Sequence, residues 1–246
     1  MPPLSGEAAL VQVPQFKELF NLPLGEKGYD IPTLTGFRAS RFQQSIDNNP
    51  HFFNAPFSGV AASAAAYTFM YRFMSNKSEE HPDGYLDGDT LKSFFSITGE
   101  PSSFVYKAGN ERIPDNWYKR AIGDEYGLAL LATDIADAAL EHPQFLSVGG
   151  NTGEVDTFTG VDIEQLTDGA YNSKSLLEGN NLACFTFQAS QAAAPDILKG
   201  LFGSVTKPLA QLNNAVDNAI SALSCPQFSK LDTSQLYQFP GGKGAY

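Results

Sequence analysis

The sequence predicts an all-α chain, and three observations lead there. Apolar residues recur at three- and four-residue spacing through most segments, the repeat of a helix with one buried face. No run of alternating apolar and polar residues is long enough to mark a half-buried strand. Short Gly-, Pro- and Asn-rich breaks separate the periodic segments, with no linker-like stretch and no internal repeat. The expected architecture is one helical domain over residues 1–246, closed by a flexible polar tail from 236 to 246.

Taken in order, "VPQFKELFNL" carries Val13, Phe16, Leu19 and Phe20 on one helical face. "PTLTGFRASRFQQSIDNNP" repeats the pattern with Leu34, Phe37, Phe42 and Ile46, and Asn48, Asn49 and Pro50 end it. The stretch from Phe52 to Met74, rich in alanine and aromatic residues and poor in charge, reads as a helix buried on most sides. Asp89 is the expected N-cap of a helix carrying Leu91, Phe94 and Phe95. Residues 97–125 read as irregular, and Leu128, Leu131, Ile135 and Ala139 mark another helix. "SVGGNTGEVDTFTGVD" reads as a glycine-rich loop. The last third is expected to be helical through "SKSLLEGNNLACFTFQASQ", "APDILKGLF" and the stripe Val205, Leu209, Leu212, Val216, Ile220 and Leu223.

Composition narrows the function classes. The formal net charge is −11. That disfavours nucleic acid, whose binding rests on Lys and Arg neutralising phosphates, and it disfavours anionic membrane surfaces. No run of apolar residues is long enough for a membrane span. The amino terminus, "MPPLSGEAALVQVPQF", has neither the basic nor the sustained apolar region of a signal peptide, so none is expected in this chain. One glycosylation triplet, Asn76-Lys77-Ser78, lies in a polar setting.

Motif chemistry runs out early. His51, His81 and His142 have no metal-ligand spacing and read as structural or surface residues. The glycine-rich loop lacks the Gly-Lys-Ser/Thr of a phosphate loop. The acidic turn from Asp83 has Phe94 where a calcium loop needs a bidentate Glu. Ser63 has no flanking glycines, so it is no nucleophile elbow. No catalytic residue can be singled out, and no metal ligand is assigned. Cys184 and Cys225 are the only cysteines. Residue type alone leaves the Cys225-Pro226 pair open as a metal-binding or reactive thiolate, or as a structural staple.

Several words together carry more: "FRASRFQQSIDNNPHFF", "LKSFF", "ERIPDNWYKR", "LSVGGNTG" and "LLEGNNLACF". They resemble the carboxy-terminal part of fungal haem-thiolate peroxidases, the chloroperoxidase and unspecific peroxygenase relatives. The resemblance runs from about residue 10 to about residue 235 and corresponds to the latter two-thirds of a full-length member. It implies an all-α, secreted enzyme that uses hydrogen peroxide to oxidise or halogenate small organic substrates. It also implies haem held by a cysteine thiolate in a Pro-Cys-Pro motif, and magnesium held by a following Glu-Gly-Asp or Glu-His-Asp. Thiolate donation favours O–O cleavage, and a distal acid–base residue moves the proton.

This sequence contains none of those three motifs, which would lie upstream of residue 1. Matched on "NNPHFF", the Arg and Glu that longer peroxygenases place seven residues apart fall near Ser58 and Ala65, so both distal positions read as vacated. The resemblance puts Phe57, Tyr67 and Phe69 on the lining of the haem pocket, with ordinary core packing as the alternative for each. It also implies that Cys184 and Cys225, 41 positions apart, form a disulfide. Such a bridge adds about 3–4 kcal/mol in the chain-entropy model and leaves no thiol for iron. Two functional readings follow. One is a haem-thiolate peroxidase or peroxygenase of which this chain is a part, inactive alone. The other is a non-catalytic, haem-free scaffold that binds an apolar ligand or a protein partner. The sequence does not fix oligomeric state.

Overall fold

In a computed structural model, residues 10–189, 218, 221–226 and 231–243 are described. Most of the stripe from Val205 to Leu223, and all of "APDILKGLF", lie outside the described residues. The chain divides into two compact units, one of residues 1–41 and 66–126 and the other of 42–65 and 127–246.

The first unit is organised by apolar faces the sequence announces. Helix α1 (Val13–Phe20) buries Phe16 and Leu19. Helix α2 (Ile31–Asn48) brings Leu34 and Phe37 to the same core. Helix α3 (Ser63–Met74) adds Tyr71, and helix α4 (Gly88–Phe94) adds Leu91. The cap of α4 is Asp87 rather than the expected Asp89. The Asp87 carboxylate accepts from Thr90 N at 2.7 Å, whereas Asp89 sits in the first turn and pairs with Lys92 at 2.9 Å.

Buried tyrosines give this chain a defined alkaline limit. Tyr29 is 3% exposed and donates to Phe20 O at 2.6 Å; burial pushes its hydroxyl up to about 12. In the second unit Tyr171 is 1% exposed, donates to Gln188 Oε1 at 2.7 Å, and is pushed up to about 12 by burial. For each, the folded pKa lies above the unfolded value near 10. Their stabilisation is therefore complete below about pH 10 and lost as pH rises toward 12. Arg38, lowered to about 10 by burial, works in the opposite direction over the same window. Tyr67 and Tyr71, also raised by burial, act with Tyr29 and Tyr171, and Lys77, lowered by burial, acts with Arg38. The tyrosines prevail, so unfolding free energy should fall between about pH 10 and 12. Urea unfolding across that range should show the fall, and Tyr29→Phe should flatten it.

The all-α expectation is overturned: two antiparallel sheets make the chain mixed α and β. In the first unit β2 (Ile97–Thr98) pairs with β3 (Val105–Tyr106), with Ile97 opposite Tyr106. In the second, β1 (Phe53–Asn54), β4 (Gly149–Gly150) and β5 (Thr159–Gly160) form a sheet in the order β1-β4-β5. Each strand has two residues, too few to show a period of two. Strand β4 is a pair of glycines that only tertiary pairing reveals as a strand. A Cβ on Gly149 would stand 2.1 Å from Thr159 O, and one on Gly150 2.4 Å from Phe52 O. The glycine-rich stretch expected as a loop therefore supplies two of the sheet's three strands.

Around that sheet the second unit packs α5 (Leu128–Glu141), α6 (Ile163–Leu166) and α7 (181–189), burying Ile135, Leu166 and Phe185. Asn151 is fully buried and ends α2: its Nδ2 donates to Ile46 O and Asn49 O, both at 2.8 Å. These are carbonyls that a helix terminus leaves without a partner in its own ladder. The tail read as flexible from 236 is packed over residues 236–242. Two 3₁₀ turns cover Thr233–Gln238 and Pro240–Gly242, Leu236 and Phe239 are buried, and Phe239 stacks on Phe53 at 5.6 Å.

Candidate functional site

The segment expected as one buried helix from Phe52 is built in three parts. It opens in β1, continues through a π-helical turn at Pro56–Ala62, and becomes α-helical only at Ser63. Proline at the first turn costs no hydrogen bond there. The wide turn is shaped by Asn54, whose Nδ2 donates to Phe145 O (3.3 Å) and Ser147 O (3.0 Å). Gly59 passes over this amide so closely that a Cβ would lie 2.2 Å from Asn54 Oδ1. Val60 N then bonds Ala55 O at 3.1 Å, five residues back. Single π turns inside helices are frequent at functional sites.

The residues expected to line a pocket fall in both units. Phe57 is half-buried on the π turn and Ser58 is exposed beside it, both in the second unit. Ala65, half-buried on α3, belongs to the same unit. Seven residues separate Ser58 from Ala65, which would stack them on one face of a regular α-helix. The π turn takes more residues per turn than an α-helix, so the same seven residues fall short of two turns and the register breaks.

Tyr67 and Phe69 lie in the first unit and face different ways, as residues two apart on a helix do. Tyr67 turns inward, 6.2 Å from the ring of Phe37. Phe69 is 36% exposed and forms a surface cluster with Phe73 and Tyr126, at centroid distances of 5.0 and 6.0 Å. The structure therefore does not bring Tyr67 and Phe69 together.

Beside Tyr67 is a residue that the sequence reading passed over, Arg38, only 4% exposed on α2. Burial lowers its guanidinium pKa to about 10, and the Tyr67 hydroxyl partly offsets this. Burial likewise raises Tyr67, and Arg41 and Arg38 pull it back. At neutral pH the guanidinium is charged and the phenol protonated, so both are hydrogen-bond donors. The signal was available. Arg38 stands four residues after Leu34 and four before Phe42, on the apolar stripe itself, where a charge is costly to bury.

Asn76 is engaged structurally. Its Nδ2, the atom a glycan would occupy, donates to Asn116 O (3.0 Å), and its Oδ1 accepts from Tyr118 N (2.8 Å). Asn76→Ala should cost about 1–3 kcal/mol by losing both bonds. Ser78→Ala abolishes the triplet, keeps both bonds, and should stay within about 0.5 kcal/mol of the parent. Comparing the two urea midpoints separates a structural role from a glycosylation role.

The two cysteines are joined, Cys184 to Cys225, with Cα atoms 5.4 Å apart and both residues buried. No free cysteine is left. His81 stacks on Tyr85 at 4.8 Å, His142 packs on Phe145 at 5.2 Å, and His51 is exposed. Among the described residues no three His, Cys, Asp or Glu side chains gather to hold a metal ion, and no helix is long and apolar enough to cross a membrane.

With that geometry in view, comparison with known proteins shows what the chain resembles. Residues 4–122 match the family described as "Peroxidase, family 2". The chain is 36% identical over 247 aligned residues to the "Aromatic peroxidase fscJ" of Fusarium equiseti, covering 98% of this chain and 56% of that protein. It is 37% identical over 228 residues to the "Dothistromin biosynthesis peroxidase dotB" of Dothistroma septosporum, covering 92% of this chain and 54% of that one. The likeness supports a peroxidase family. This peroxidase-like chain spans about half the length of the curated relatives it matches. The family match includes Arg38, the π turn and α3, so the peroxidase-like stretch contains every residue expected to line a pocket.

Proposed function

We propose that this chain is part of a haem peroxidase of the haem-thiolate type, which uses hydrogen peroxide to oxidise small organic substrates. Similarity across 98% of the chain to a protein named an aromatic peroxidase carries the reading. It favours aromatic substrates, and peroxygenase or halide chemistry stands as a variant of the same proposal. The cofactor would supply the oxidising iron.

The residues present do not fit such a haem by themselves. A thiolate ligand needs a free cysteine, and both cysteines are bound to one another in the core. No acidic cluster among the described residues suits magnesium. We therefore derive no catalytic step through either group from this chain, and assign the iron ligand to residues outside it. What this chain contributes is scaffold: the π turn fixed by Asn54, the buried donor Arg38 and the half-buried donor Tyr67. The disulfide suits an oxidising compartment, in keeping with an extracellular location. A haem-free scaffold is the second reading, favoured by the same missing thiolate.

The deciding experiment uses a polypeptide that joins this chain to the remaining length of its relatives. Peroxide-dependent oxidation of a phenol by that protein, absent from the chain alone, is the expected result. No activity in a well-folded, haem-loaded longer protein would contradict the proposal and favour the scaffold.

A further inference from the structure

Lys119 and Arg120 are the only adjacent pair of basic residues in the sequence. They lie in residues 107–127, which hold no helix or strand. Lys119 and residues 121–125 are exposed, and Ile122 is 95% exposed. The backbone N–H groups of Lys119, Arg120, Ala121 and Ile122 make no hydrogen bond within the described structure. Solvent-facing backbone without internal partners is what a protease can draw into an extended strand in its cleft.

Both flanks of this stretch are anchored. Upstream, Tyr118 N is held by Asn76, and Tyr118 O accepts from Lys77 N at 2.9 Å. Downstream, the Tyr126 ring stands edge-on against Phe69 and Phe73, at 6.0 and 5.6 Å. Between the anchors Asp124 closes the loop: its N donates to Ala121 O at 3.2 Å, its backbone O accepts from Arg120 Nε, and its carboxylate holds the same guanidinium. Arg120 Nη2 donates to Asp124 Oδ1 at 2.9 Å, and the guanidinium lies 6.0 Å from the Tyr126 ring centre. The Arg120 side chain is only 16% exposed, tucked against the loop it closes. Lys77 Nζ, 3.8 Å from the other Asp124 oxygen, is a second cation on the same carboxylate.

We propose that the Arg120–Ala121 bond is a processing site for an endoprotease that reads paired basic residues, with the Arg120–Asp124 clasp setting its rate. Such an enzyme recognises Lys119 and Arg120 through acidic pockets, so the guanidinium must first leave Asp124. Water then adds across the peptide bond, leaving a carboxylate on Arg120 and an amine on Ala121. The two products stay associated through the second unit. Strand β1 precedes the cut and its partner β4 follows it. Asn54 bonds Phe145 O and Ser147 O, and Phe53 stacks on Phe239, both across the cut. The disulfide lies wholly in the second product.

The test is digestion of the native full chain with a paired-basic endoprotease, beside a peptide of residues 113–126 as a recognition control. The expected products are residues 1–120 and 121–246, separated on a denaturing gel without reductant yet eluting as one species in size exclusion. Arg120→Gln should be resistant. Asp124→Ala should be cut about two- to fivefold faster, the range that loss of an exposed ion pair gives when cleavage tracks the open population. A native chain left intact while the peptide is cut would overturn the processing site. Equal rates for Asp124→Ala and the parent would overturn the role of the clasp. Separate elution of the two products would overturn their association.

Discussion

Replacing Cys184 and Cys225 together with alanine should lower the thermal midpoint by about 10 °C. The bridge spans 41 positions. Cross-linking a loop of that size removes about 3–4 kcal/mol of chain entropy from the unfolded state. Its surroundings add to this. Cys184 is 1% exposed and Cys225 6%, in the same core cluster as Phe185, Leu182 and Phe239. Just beyond Cys225, Gln188 Nε2 donates to Pro226 O at 2.7 Å, and the same amide accepts from Tyr171, so the bridge is tied to a buried polar chain. Burial also shields the sulfurs: without denaturant, reductant should leave the bond intact and thiol reagents should titrate nothing. A midpoint within about 2 °C of the parent, too small a shift for a lost cross-link, would contradict this role, as would two reactive thiols in the native protein.

The disulfide was legible only through resemblance, since residue type alone left Cys225 open as ligand, nucleophile or staple. The helices were legible directly. The stripes Phe16–Leu19, Leu34–Phe37 and Leu131–Ile135 each recur at helical spacing, and the helices α1, α2 and α5 form there. The sheets were not, because a two-residue strand has no period and its identity resides in a partner distant in sequence. Gly149 and Gly150 make the point: they are strand because Phe53, Asn54, Thr159 and Gly160 pair with them, and no propensity of glycine predicts that. The π turn was hidden for a similar reason. Its shape depends on Asn54 reaching carbonyls 91 and 93 residues away. In the candidate site, alternation of faces along α3 was readable in advance and would have separated Tyr67 from Phe69. Arg38 was readable too, as a cation spaced four residues from both Leu34 and Phe42.

The second large effect concerns iron. If the ligand is not among this chain's residues, the purified chain should fail wholly rather than partly as a haem-thiolate protein, because no alternative thiolate exists to take over. Thiolate donation is what favours cleavage of the peroxide O–O bond in such enzymes. Without it, peroxide turnover should stay at the level of free haemin, and substitution of Tyr67 or Arg38 should leave that level unchanged. Loss of the disulfide should not rescue the chain, since Cys184 and Cys225 lie within the core and away from solvent.

Haemin titration of the purified chain, followed by reduction and addition of carbon monoxide, measures this most directly. The account predicts no red-shifted Soret band of a thiolate-ligated ferrous carbonyl, for the parent and for the double alanine variant alike. That band appearing in the parent chain would contradict it, because one of the two cysteines would then be holding iron instead of its partner.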